Sequence, residues 1–290
     1  MPIPAVESSL HTPGVAVSRA VLVTGCSSGI GRATAERLAA AGWNVYASAR
    51  RIEAVEGLAG CRPIQLDVTD DGSMRAAVER IVREEGAVGA LVNNAGYSQS
   101  GAVEEVPLAD ARRQFETNVF GLARLTQLVL PGMREQGWGR IVNVSSMGGR
   151  LTFPGGGWYH ASKHAVEALS DALRFEVAGF GIDVVVIQPG LIRTGFAEAA
   201  AGSIGVVDGP YARFDAAVGA ATAGAYEGAF ARVLGGRPEN VAKAIERAVT
   251  ARRPRTRYRV TPSARLFLTL RRLLPDRGWD ALVGRSYPRP

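Results

Sequence analysis

The stretch that decides the fold follows a short apolar run, Ala20–Val23, and reads Thr24-Gly25-Cys26-Ser27-Ser28-Gly29-Ile30-Gly31. An amphipathic segment, Arg32–Ala41, comes directly after it. Glycines let the chain turn tightly and let a pyrophosphate approach the backbone, while the start of a helix offers free N–H groups and a positive dipole end. A glycine cluster alone is a weak signal, because turns are rich in glycine. The strand–turn–helix context makes this cluster a predicted nucleotide phosphate site.

Outside this stretch, short runs of Val, Ile and Leu alternate with longer amphipathic segments. The runs predicted as strands are Ala20–Val23, Asn44–Ser48, Arg62–Leu66, Ala90–Val92, Gly139–Val144 and Asp183–Gln188. The helices are predicted to begin near Gly31, Asp71, Pro107, Tyr159 and Pro238. The alternation is typical of βαβ units, and the apolar strands suit a sheet that is covered on both faces. We therefore predict the α/β class: a single doubly wound parallel sheet (Rossmann fold) flanked by helices, with a C-terminal helical extension.

The chain has 290 residues, enough for one large α/β domain, and we find no linker that would divide it. We expect a flexible N-terminal extension over residues 1–18, a Rossmann-type domain over residues 19–256 and a basic extension over residues 257–290. Within the domain, Ala199–Gly236 is rich in Ala and Gly, and the expected substrate lid spans about residues 195–236. This segment is interpreted either as a mobile lid over a substrate or as helices made of small residues.

The net charge of +7 is concentrated at the C-terminal end. From Arg247 to Pro290 there are twelve arginines against Asp276 and Asp280, a balance of +10. By difference, the preceding part of the chain carries about −3. Because the basic residues belong to the tail, the charge argues against a basic groove across the domain, and we expect no nucleic-acid partner.

Cysteine usage and hydropathy point to the cytoplasm. The two cysteines, Cys26 and Cys61, are far apart and lack metal-ligand spacing, so we expect reduced thiols and no metal site. No apolar run is long enough to span a bilayer. Met1–Ser18 has no basic segment followed by an apolar one, as a secretory signal would have. We predict a cytoplasmic protein.

The end of the second predicted strand indicates which nucleotide binds. An NAD site needs a carboxylate there for the ribose 2′-hydroxyl, whereas an NADP site needs positive charge for the 2′-phosphate. Ala49 stands at the acidic position and Arg50 follows it. Arg50 can grip a phosphate through two parallel hydrogen bonds, with Ser27 or Ser28 donating another. The alternative is that Arg50 and Arg51 form a solvated strand end. NADP(H) is the predicted cofactor.

Tyr159 and Lys163 are the predicted acid–base pair. They stand four residues apart, so a helix places both on one face. The ammonium stabilises a phenolate and makes the tyrosine usable as a general acid or base. The chain contains two lysines, Lys163 and Lys243, against 32 arginines. A compact ammonium is retained here although the sequence uses the bulkier arginine almost everywhere else.

Further motifs follow in a characteristic order. They are Leu66-Asp67-Val68, Asn93-Asn94-Ala95-Gly96, Thr117-Asn118-Val119-Phe120-Gly121, Ser145-Ser146 and Pro189-Gly190-Leu191-Ile192-Arg193-Thr194. With the Gly-x-x-x-Gly-x-Gly loop and the Tyr-x-x-x-Lys pair, the chain resembles the short-chain dehydrogenase/reductase family from Thr24 to Thr194, about 170 residues. The resemblance implies an NADP(H)-dependent oxidoreductase that interconverts an alcohol and a carbonyl compound.

The same resemblance implies the roles of individual residues. The catalytic set would be Asn118, Ser146, Tyr159 and Lys163. Ser146 would hydrogen-bond the substrate oxygen, with Ser145 as the alternative if the register shifts by one residue. Asn118 would support a water relay to the lysine; taken alone, it is as well explained as a helix kink or cap. The cofactor-binding residues would be Gly25, Ser27, Ser28, Gly29, Ile30, Gly31, Arg50, Asp67, Val68, Asn94, Ala95, Gly96, Tyr159, Lys163, Pro189, Gly190, Ile192 and Thr194.

The substrate is less constrained. The phosphate loop and the second strand look most like the hydroxysteroid and retinol dehydrogenase branch, which implies a steroid-, retinoid- or lipid-like substrate. The predicted pocket aromatics are Phe153, Trp158, Phe196, Tyr211, Phe214, Tyr226 and Phe230. The alternatives are a polyketide or acyl-carrier ketoreductase and a non-catalytic NADP-sensing regulator. His160 and His164 adjoin the catalytic pair, and we expect both to turn away from the active face.

The C-terminal segment carries an apolar stripe at helical spacing, flanked by arginines. The stripe is Leu266, Phe267, Leu270, Leu273 and Leu274, and the arginines are Arg265, Arg271 and Arg272. Such a helix either packs on its own domain or a partner subunit, or lies on an anionic membrane surface. We expect a small-molecule substrate and, as in the family, a homo-oligomer that is a dimer or tetramer.

Overall fold

A computed structural model describes residues 17–196, 200, 202–204, 209–225 and 232–287, and every structural statement below concerns these residues. Most of the expected N-terminal extension and parts of the expected lid lie outside them. Ser18, at the end of that extension, is buried: its backbone N–H donates to Gln136 Oε1 at 3.0 Å and its hydroxyl donates to the Ala87 carbonyl at 2.6 Å. Ser18 is therefore part of the packed domain.

Strands and helices alternate along the chain, as the sequence predicts. The strands are β1 Ala20–Val23, β2 Asn44–Ala49, β3 Cys61–Gln65, β4 Ala90–Asn93, β5 Gly139–Val144, β6 Ile182–Gln188 and β7 Arg257–Arg259. The α-helices are α1 Gly29–Ala40, α2 Asp71–Glu85, α3 Leu108–Phe115, α4 Leu122–Glu135, α5 Gly157–Glu176, α6 Ala212–Gly224, α7 Pro238–Thr250, α8 Pro262–Leu273 and α9 Asp276–Val283. A π-helical segment, Glu116–Gly121, joins α3 to α4.

The strands form one parallel sheet in the order β3-β2-β1-β4-β5-β6-β7. The strand order reverses between β1 and β4, which is where a doubly wound sheet opens a crevice at its carboxyl edge. The predicted fold class and its six predicted strands are confirmed. The seventh strand, Arg257–Arg259, was not predicted. It is short, arginine-rich and only half-buried. Because it contains no apolar run, the sequence pattern does not indicate a strand at this position. The segment expected as the basic extension, residues 257–290, thus begins with a strand that pairs with β6.

Both faces of the sheet are covered, because neighbouring residues of each strand point to opposite sides. In β1, Val21 and Val23 join the cluster under α1 and α7, while Leu22 joins the cluster under α2 and α4. All three side chains are fully buried. Burying one such aliphatic side chain contributes about 1.5–3 kcal/mol, so the central strands are held firmly beneath the loops at their carboxyl ends.

The C-terminal helices α8 and α9 pack on their own domain. A third apolar cluster joins Ala264, Leu268 and Trp279 to residues of the loop after β5 and of the segment after β6. Trp279 is 4% exposed, and its indole N–H donates to the Thr152 carbonyl at 3.0 Å. The apolar stripe divides between two faces: Phe267 packs inward, whereas Leu266 is exposed. Internal packing therefore accounts for only part of the stripe.

A buried carboxylate ties β7 to α5. Glu167 Oε2 accepts hydrogen bonds from Arg150 Nε at 3.1 Å and from Arg257 Nε at 2.9 Å, and Glu167 Oε1 accepts one from Gln188 Nε2 at 2.8 Å. Arg257 also donates to Asp171 at 2.6 Å. Each oxygen of the buried group is thus satisfied, which is the condition under which an ion pair can be buried without a large desolvation penalty.

Three further features bear on the expected class of protein. Within the described ranges, no helix combines the length and apolar character needed to cross a bilayer. The described part of the chain brings together no group of three His, Cys, Asp or Glu side chains that could hold a metal ion. Cys26 and Cys61 are both free thiols.

Candidate active site

One large cavity lies at the carboxyl edge of the sheet. Its volume is about 1630 Å³, larger than the roughly 300–1,000 Å³ of an ordinary small-molecule pocket. The loops after β1, β4, β5 and β6 form its floor, and α6, α8 and α9 contribute to its walls. Of the predicted site residues, Gly31 and Asn118 lie behind the lining, and all the others line the cavity. The cavity has room for a dinucleotide and a second molecule beside it.

The phosphate loop needs its glycines for two different reasons. Gly25 and Gly29 have φ angles of 71° and 56°, in the left-handed region that favours glycine. Gly31 instead lacks space: a Cβ there would lie 2.2 Å from the Gly25 carbonyl oxygen and 2.6 Å from Asn94 Nδ2. A side chain at Gly31 would therefore push the loop away from the helix that follows it.

Thr24 and Asn94 hold the loop against β4. Thr24 Oγ1 accepts hydrogen bonds from the backbone N–H groups of Asn94 and Ala95, each at 2.9 Å. Asn94 Nδ2 donates to the carbonyl oxygens of Thr24 at 2.9 Å and Gly25 at 3.2 Å. These bonds fix the loop at the point where the strand order reverses.

The start of α1 is suited to an anion. The helix has no acidic residue in its first turn, and the Ser28 side chain does not cap it. Its first N–H groups are thus available to phosphate oxygens, with Ser27 and Ser28 exposed beside them. Cys26 lies behind this surface, where burial raises the pKa of its thiol to about 12. That thiol has no reactive thiolate near neutral pH.

The expected 2′-phosphate site lies at the end of β2, at the rim of the cavity. Ala49 is buried, while Arg50 is exposed at the cavity rim, and the Arg50 carbonyl accepts from Gln65 Nε2 at 3.1 Å. Asp67 comes after β3, and its Oδ1 accepts from the Thr69 N–H at 2.9 Å and the Thr69 hydroxyl at 2.8 Å. Asp67 and Val68 form the adjoining wall. The residues at this edge therefore fit a dinucleotide, with positive charge where the adenosine ribose would lie.

Lys163 lies beneath the cavity on α5, on the same face as Tyr159. Its Nζ donates to the Val144 carbonyl at 2.9 Å and lies 5.9 Å from the centroid of the Tyr159 ring. Burial lowers the pKa of Lys163 to about 8, although the Glu167 carboxylate favours its charged form. No carboxylate among the described residues bonds Lys163 directly, and a buried cation in such a position strongly stabilises negative charge on a nearby phenol.

Asn118 occupies the π-helical segment between α3 and α4. Its Nδ2 donates to the Tyr97 carbonyl at 2.9 Å and to Ser162 Oγ at 3.1 Å, and its Oδ1 accepts from the Tyr97 N–H at 3.1 Å. A Cβ on Gly96 would lie 2.9 Å from Asn118 Oδ1 and 3.6 Å from Lys163 Nζ. The amide oxygen of Asn118 and the ammonium of Lys163 therefore both border the space that a side chain at Gly96 would fill. π-Bulges inside helices recur at functional sites.

The two serines after β5 have different surroundings. Ser146 is half-buried, lines the cavity, and its Oγ accepts from the Gly148 N–H at 3.0 Å. Ser145 is buried against Gly149, and its Oγ has no hydrogen-bond partner among the described residues. The accessible hydroxyl is that of Ser146.

His160 corrects one expectation, because it does not turn away from the site but forms part of the cavity wall. Its Nε2 accepts from the Phe153 N–H at 3.2 Å, so Nδ1 carries the proton and donates to the Gly148 carbonyl at 3.1 Å. Burial lowers the pKa of His160 to about 4. Because His160 is neutral and both of its ring nitrogens are hydrogen-bonded to the loop beside Ser146, its side chain acts as a brace that stabilises this loop. Local sequence gave no signal for this role, since the loop partners are set by tertiary contact.

The segment after β6 closes the far side of the cavity. Pro189, Gly190, Ile192 and Thr194 line it, and Thr194 lies against the phosphate loop, 3.3 Å from the position of a Cβ on Gly29. A Cβ on Gly190 would lie 2.3 Å from Thr261 Oγ1, so this segment is wedged against the start of α8.

The substrate end of the cavity differs from the prediction. Of the predicted aromatics, Phe153 and Phe196 line it, and the ring of Phe196 lies 5.6 Å from that of Tyr159. Trp158 instead borders a separate small hollow, and Tyr211 bonds Glu104 at the surface at 2.8 Å. Phe214 does not line the cavity, and Tyr226 and Phe230 lie outside the described residues. The unpredicted lining residues from the tail are Phe267, Trp279, Leu282, Val283, Ser286 and Tyr287.

Comparison with known proteins points to a single enzyme family. The family model for short chain dehydrogenases matches residues 19–203. An NADPH-dependent 3-dehydrocapnine reductase of Ornithobacterium rhinotracheale is 36% identical over 276 residues, covering 91% of this chain and 95% of that protein. A 3-ketodihydrosphingosine reductase of Bacteroides thetaiotaomicron is 42% identical over 178 residues, covering 61% of this chain and 65% of that relative's length. The crystal structure of a short-chain dehydrogenase from Streptomyces avermitilis matches with a TM-score of 0.77 at 38% identity, covering 93% of this chain and 98% of that one.

Proposed function

The chain belongs to the short-chain dehydrogenase family, and we propose that it is an NADP(H)-dependent oxidoreductase that interconverts a secondary alcohol and a ketone, or an alcohol and an aldehyde, on a hydrophobic, lipid-like substrate. The observation that carries the proposal is the position of Lys163 beneath Tyr159, with Ser146 facing the same cavity. The phosphate loop lies along the same cavity. The expected cofactor site and the acid–base pair thus share one cavity.

The chemistry that we propose uses Tyr159 as the proton donor in the reducing direction. Its hydroxyl gives a proton to the carbonyl oxygen, and the ammonium of Lys163 stabilises the phenolate that remains. Ser146 donates a hydrogen bond to the same oxygen and so stabilises its developing negative charge. Asn118 holds Tyr97 and Ser162 in place close to the ammonium, a position suited to a water that passes a proton through the lysine to the Tyr159 phenolate and so restores the hydroxyl. The nicotinamide, when bound, supplies the hydride to the carbonyl carbon, and the reverse direction returns it.

NADP(H) is the proposed cofactor because positive charge stands where a 2′-phosphate would lie. Arg50 is exposed at the rim of the cavity, and Ala49 offers no carboxylate that would prefer a free ribose hydroxyl. One relative, the 3-dehydrocapnine reductase, is NADPH-dependent by name. Both observations support the same choice.

A lipid-like ketone is the proposed substrate class. The substrate end of the cavity is built mainly from apolar side chains of α6, α8 and α9, including Val218, Phe267 and Leu282. Two relatives are named as reductases of 3-ketodihydrosphingosine and of 3-dehydrocapnine. Steroid and retinoid carbonyls remain within the proposed class, and acyl-carrier thioesters are the competing substrates in the test below.

The test is NADPH oxidation against a panel of long-chain 3-keto lipids, steroid and retinoid carbonyls, β-ketoacyl thioesters and small aromatic ketones, comparing the wild type with Tyr159→Phe. We expect the substitution to lower kcat by at least about 100-fold, because general acid catalysis contributes about 10²–10⁴-fold, and to leave NADPH affinity within about twofold. Tyr211→Phe is the matched control, since that hydroxyl bonds Glu104 away from the cavity. Unchanged turnover by Tyr159→Phe would refute the mechanism. Tight NADPH binding without turnover on any substrate would favour a nucleotide-sensing regulator.

We also propose a homo-oligomer formed through the faces of α4 and α5. Phe175 is 89% exposed, and Leu169 on the same helix and Phe120 beside α4 are exposed as well. Large apolar side chains left exposed on the surface are enriched at protein interfaces. Light scattering after size-exclusion chromatography tests this, and a monomeric mass at micromolar concentration would contradict it.

A further inference from the structure

The outer face of α8 combines exposed leucines with arginines. We define the tail face as Arg265, Leu266, Thr269, Arg272 and Leu273, all of which are exposed. Leu266 is 42% and Leu273 is 73% exposed. They stand seven residues apart, two turns of helix, as do the two arginines, so all four project to one side. The opposite side of α8, including Ala264 and Leu268, is buried.

The apolar part of the tail face does not result from poor internal packing. The inner face of α8 is filled, and Thr261 caps the start of the helix by accepting from the Ala264 N–H at 3.2 Å. Pro262 stands at the first helical position, where proline fits. A well-formed helix thus presents two leucines to the outside that its own domain does not need.

Charge on this part of the chain has one predominant sign. From 262 to 287 the described residues contain five arginines and two aspartates. Arg271 pairs with Asp276 at 2.6 Å, whereas Arg265 and Arg272 pair with no carboxylate among the described residues. The tail face therefore keeps two uncompensated guanidinium groups beside its leucines, which matches an anionic and partly apolar surface.

The same tail also forms a wall of the cavity. Phe267 of α8 and Trp279, Leu282 and Val283 of α9 line the substrate end. One pair of helices thus presents apolar side chains to the inside of the cavity and leucines with arginines to the outside.

We propose that the tail face docks on an anionic lipid bilayer, with Leu266 and Leu273 inserted at the level of the head groups and Arg265 and Arg272 on the lipid phosphates. Docking would bring to the membrane surface the same helix whose inner side forms part of the apolar wall of the cavity. Membrane binding by the tail face does not depend on the proposed enzymatic activity, whatever molecule the cavity binds.

The test is flotation of the full chain with vesicles of equal parts phosphatidylglycerol and phosphatidylcholine, and with phosphatidylcholine vesicles, without cofactor or substrate. We expect binding to the anionic vesicles to exceed binding to the neutral ones. Arg265→Gln with Arg272→Gln should weaken the anionic partition about 30-fold, from about 1 kcal/mol for each arginine at an anionic surface. Leu266→Ser with Leu273→Ser should weaken it by at least about tenfold, because the exposed parts of the two side chains together amount to about one leucine, whose burial contributes about 1.5–3 kcal/mol.

The matched control is Arg252→Gln with Arg253→Gln. It removes the same charge from exposed residues that precede β7, at the amino edge of the sheet opposite the cavity. We expect this variant to bind like the wild type, and all the variants, which alter exposed residues, to melt within a few degrees of it.

Three outcomes would overturn the proposal. They are absence of flotation with anionic vesicles, wild-type partition of the tail-face variants, and equal loss in the control variant. Absence of flotation could be accompanied by a dimer in vesicle-free solution that only the tail-face substitutions dissociate. The last result would assign the face to a second copy of the chain. Binding of an acidic acyl-carrier protein in place of vesicles would assign it to that partner. Because no turnover is measured, an inactive enzyme would leave these results unaffected.

Discussion

Arg50→Gln tests whether the end of β2 selects NADPH over NADH. Arg50 is exposed at the rim of the cavity next to buried Ala49. The Gln65 amide bonds its backbone carbonyl at 3.1 Å, and the Cys26 N–H bonds the neighbouring Ser48 carbonyl at 2.8 Å. Since the backbone is held by these partners, the substitution should remove the guanidinium and leave the loop in place.

The magnitude follows from the kind of contact that is lost. Hydrogen bonds to a charged group contribute about 1.5–3 kcal/mol, and because Arg50 is exposed to solvent we take about 2 kcal/mol. That value corresponds to about a 30-fold loss in kcat/KM with NADPH. NADH has no 2′-phosphate, so its kcat/KM should stay within about twofold. Raising the salt concentration should narrow the difference between wild type and variant, because exposed charges are screened.

The assay is initial-rate oxidation of NADPH and of NADH at saturating ketone, for the wild type, Arg50→Gln and Arg51→Gln. Arg51 is the control, because it is exposed and adjacent but does not line the cavity. An equal fall with both cofactors would mean that Arg50 supports the fold and not the phosphate. A fall of the same size in Arg51→Gln, or none in Arg50→Gln, would refute the assignment of the second strand.

Two further predictions concern residues that support the loops around the site. Burial lowers the pKa of His160 to about 4 in the folded chain, whereas its ordinary value is 6.5. Between pH 6.5 and 4, the histidine is therefore protonated in the unfolded state and neutral in the folded state. The free energy of unfolding should therefore fall by up to about 3 kcal/mol as the pH is lowered through that window, and urea titrations of His160→Gln should lack this part of the fall. Gly190→Ala would place a Cβ 2.3 Å from a hydroxyl oxygen at the start of α8 and should destabilise the chain by roughly 2 kcal/mol. Gly57→Ala, which meets nothing within 4 Å, should melt like the wild type, and equal melting temperatures for the two variants would contradict the wedge between β6 and α8.

The brace formed by His160 shows how far the catalytic set depends on residues that do not react. It joins the carbonyl of Gly148 to the N–H of Phe153 across the loop after β5, and Phe153 in turn contacts Trp279 with ring centroids 5.8 Å apart. The loop that carries Ser146 is therefore supported on one side by α5 and on the other by the tail. A tail that moved would disturb both the serine and the substrate wall.

The sequence by itself determined the fold class, six of the seven strands and the placement of the candidate cofactor and acid–base residues. The reason is that these features depend on local patterns. A buried parallel strand must be apolar on both faces, a phosphate loop must have glycines where φ is positive or space is short, and two side chains four residues apart share a helix face. Gly31 is an example, because the clash that excludes a side chain there is with Gly25, six residues away.

The tertiary structure decided what the sequence left open. Strand β7 is defined by its pairing with β6, and Arg257 anchors it to Glu167, ninety residues away in the chain; its own short, arginine-rich sequence did not indicate a strand. The C-terminal helices form a wall of the cavity, where the Trp279 indole bonds the Thr152 carbonyl. The apolar stripe divides between an inner and an outer face of α8, because each residue of a helix is rotated by about 100° from the one before it. Contacts between residues so distant in sequence leave no periodic signal, so which aromatic side chains surround the substrate could be read only from the folded chain.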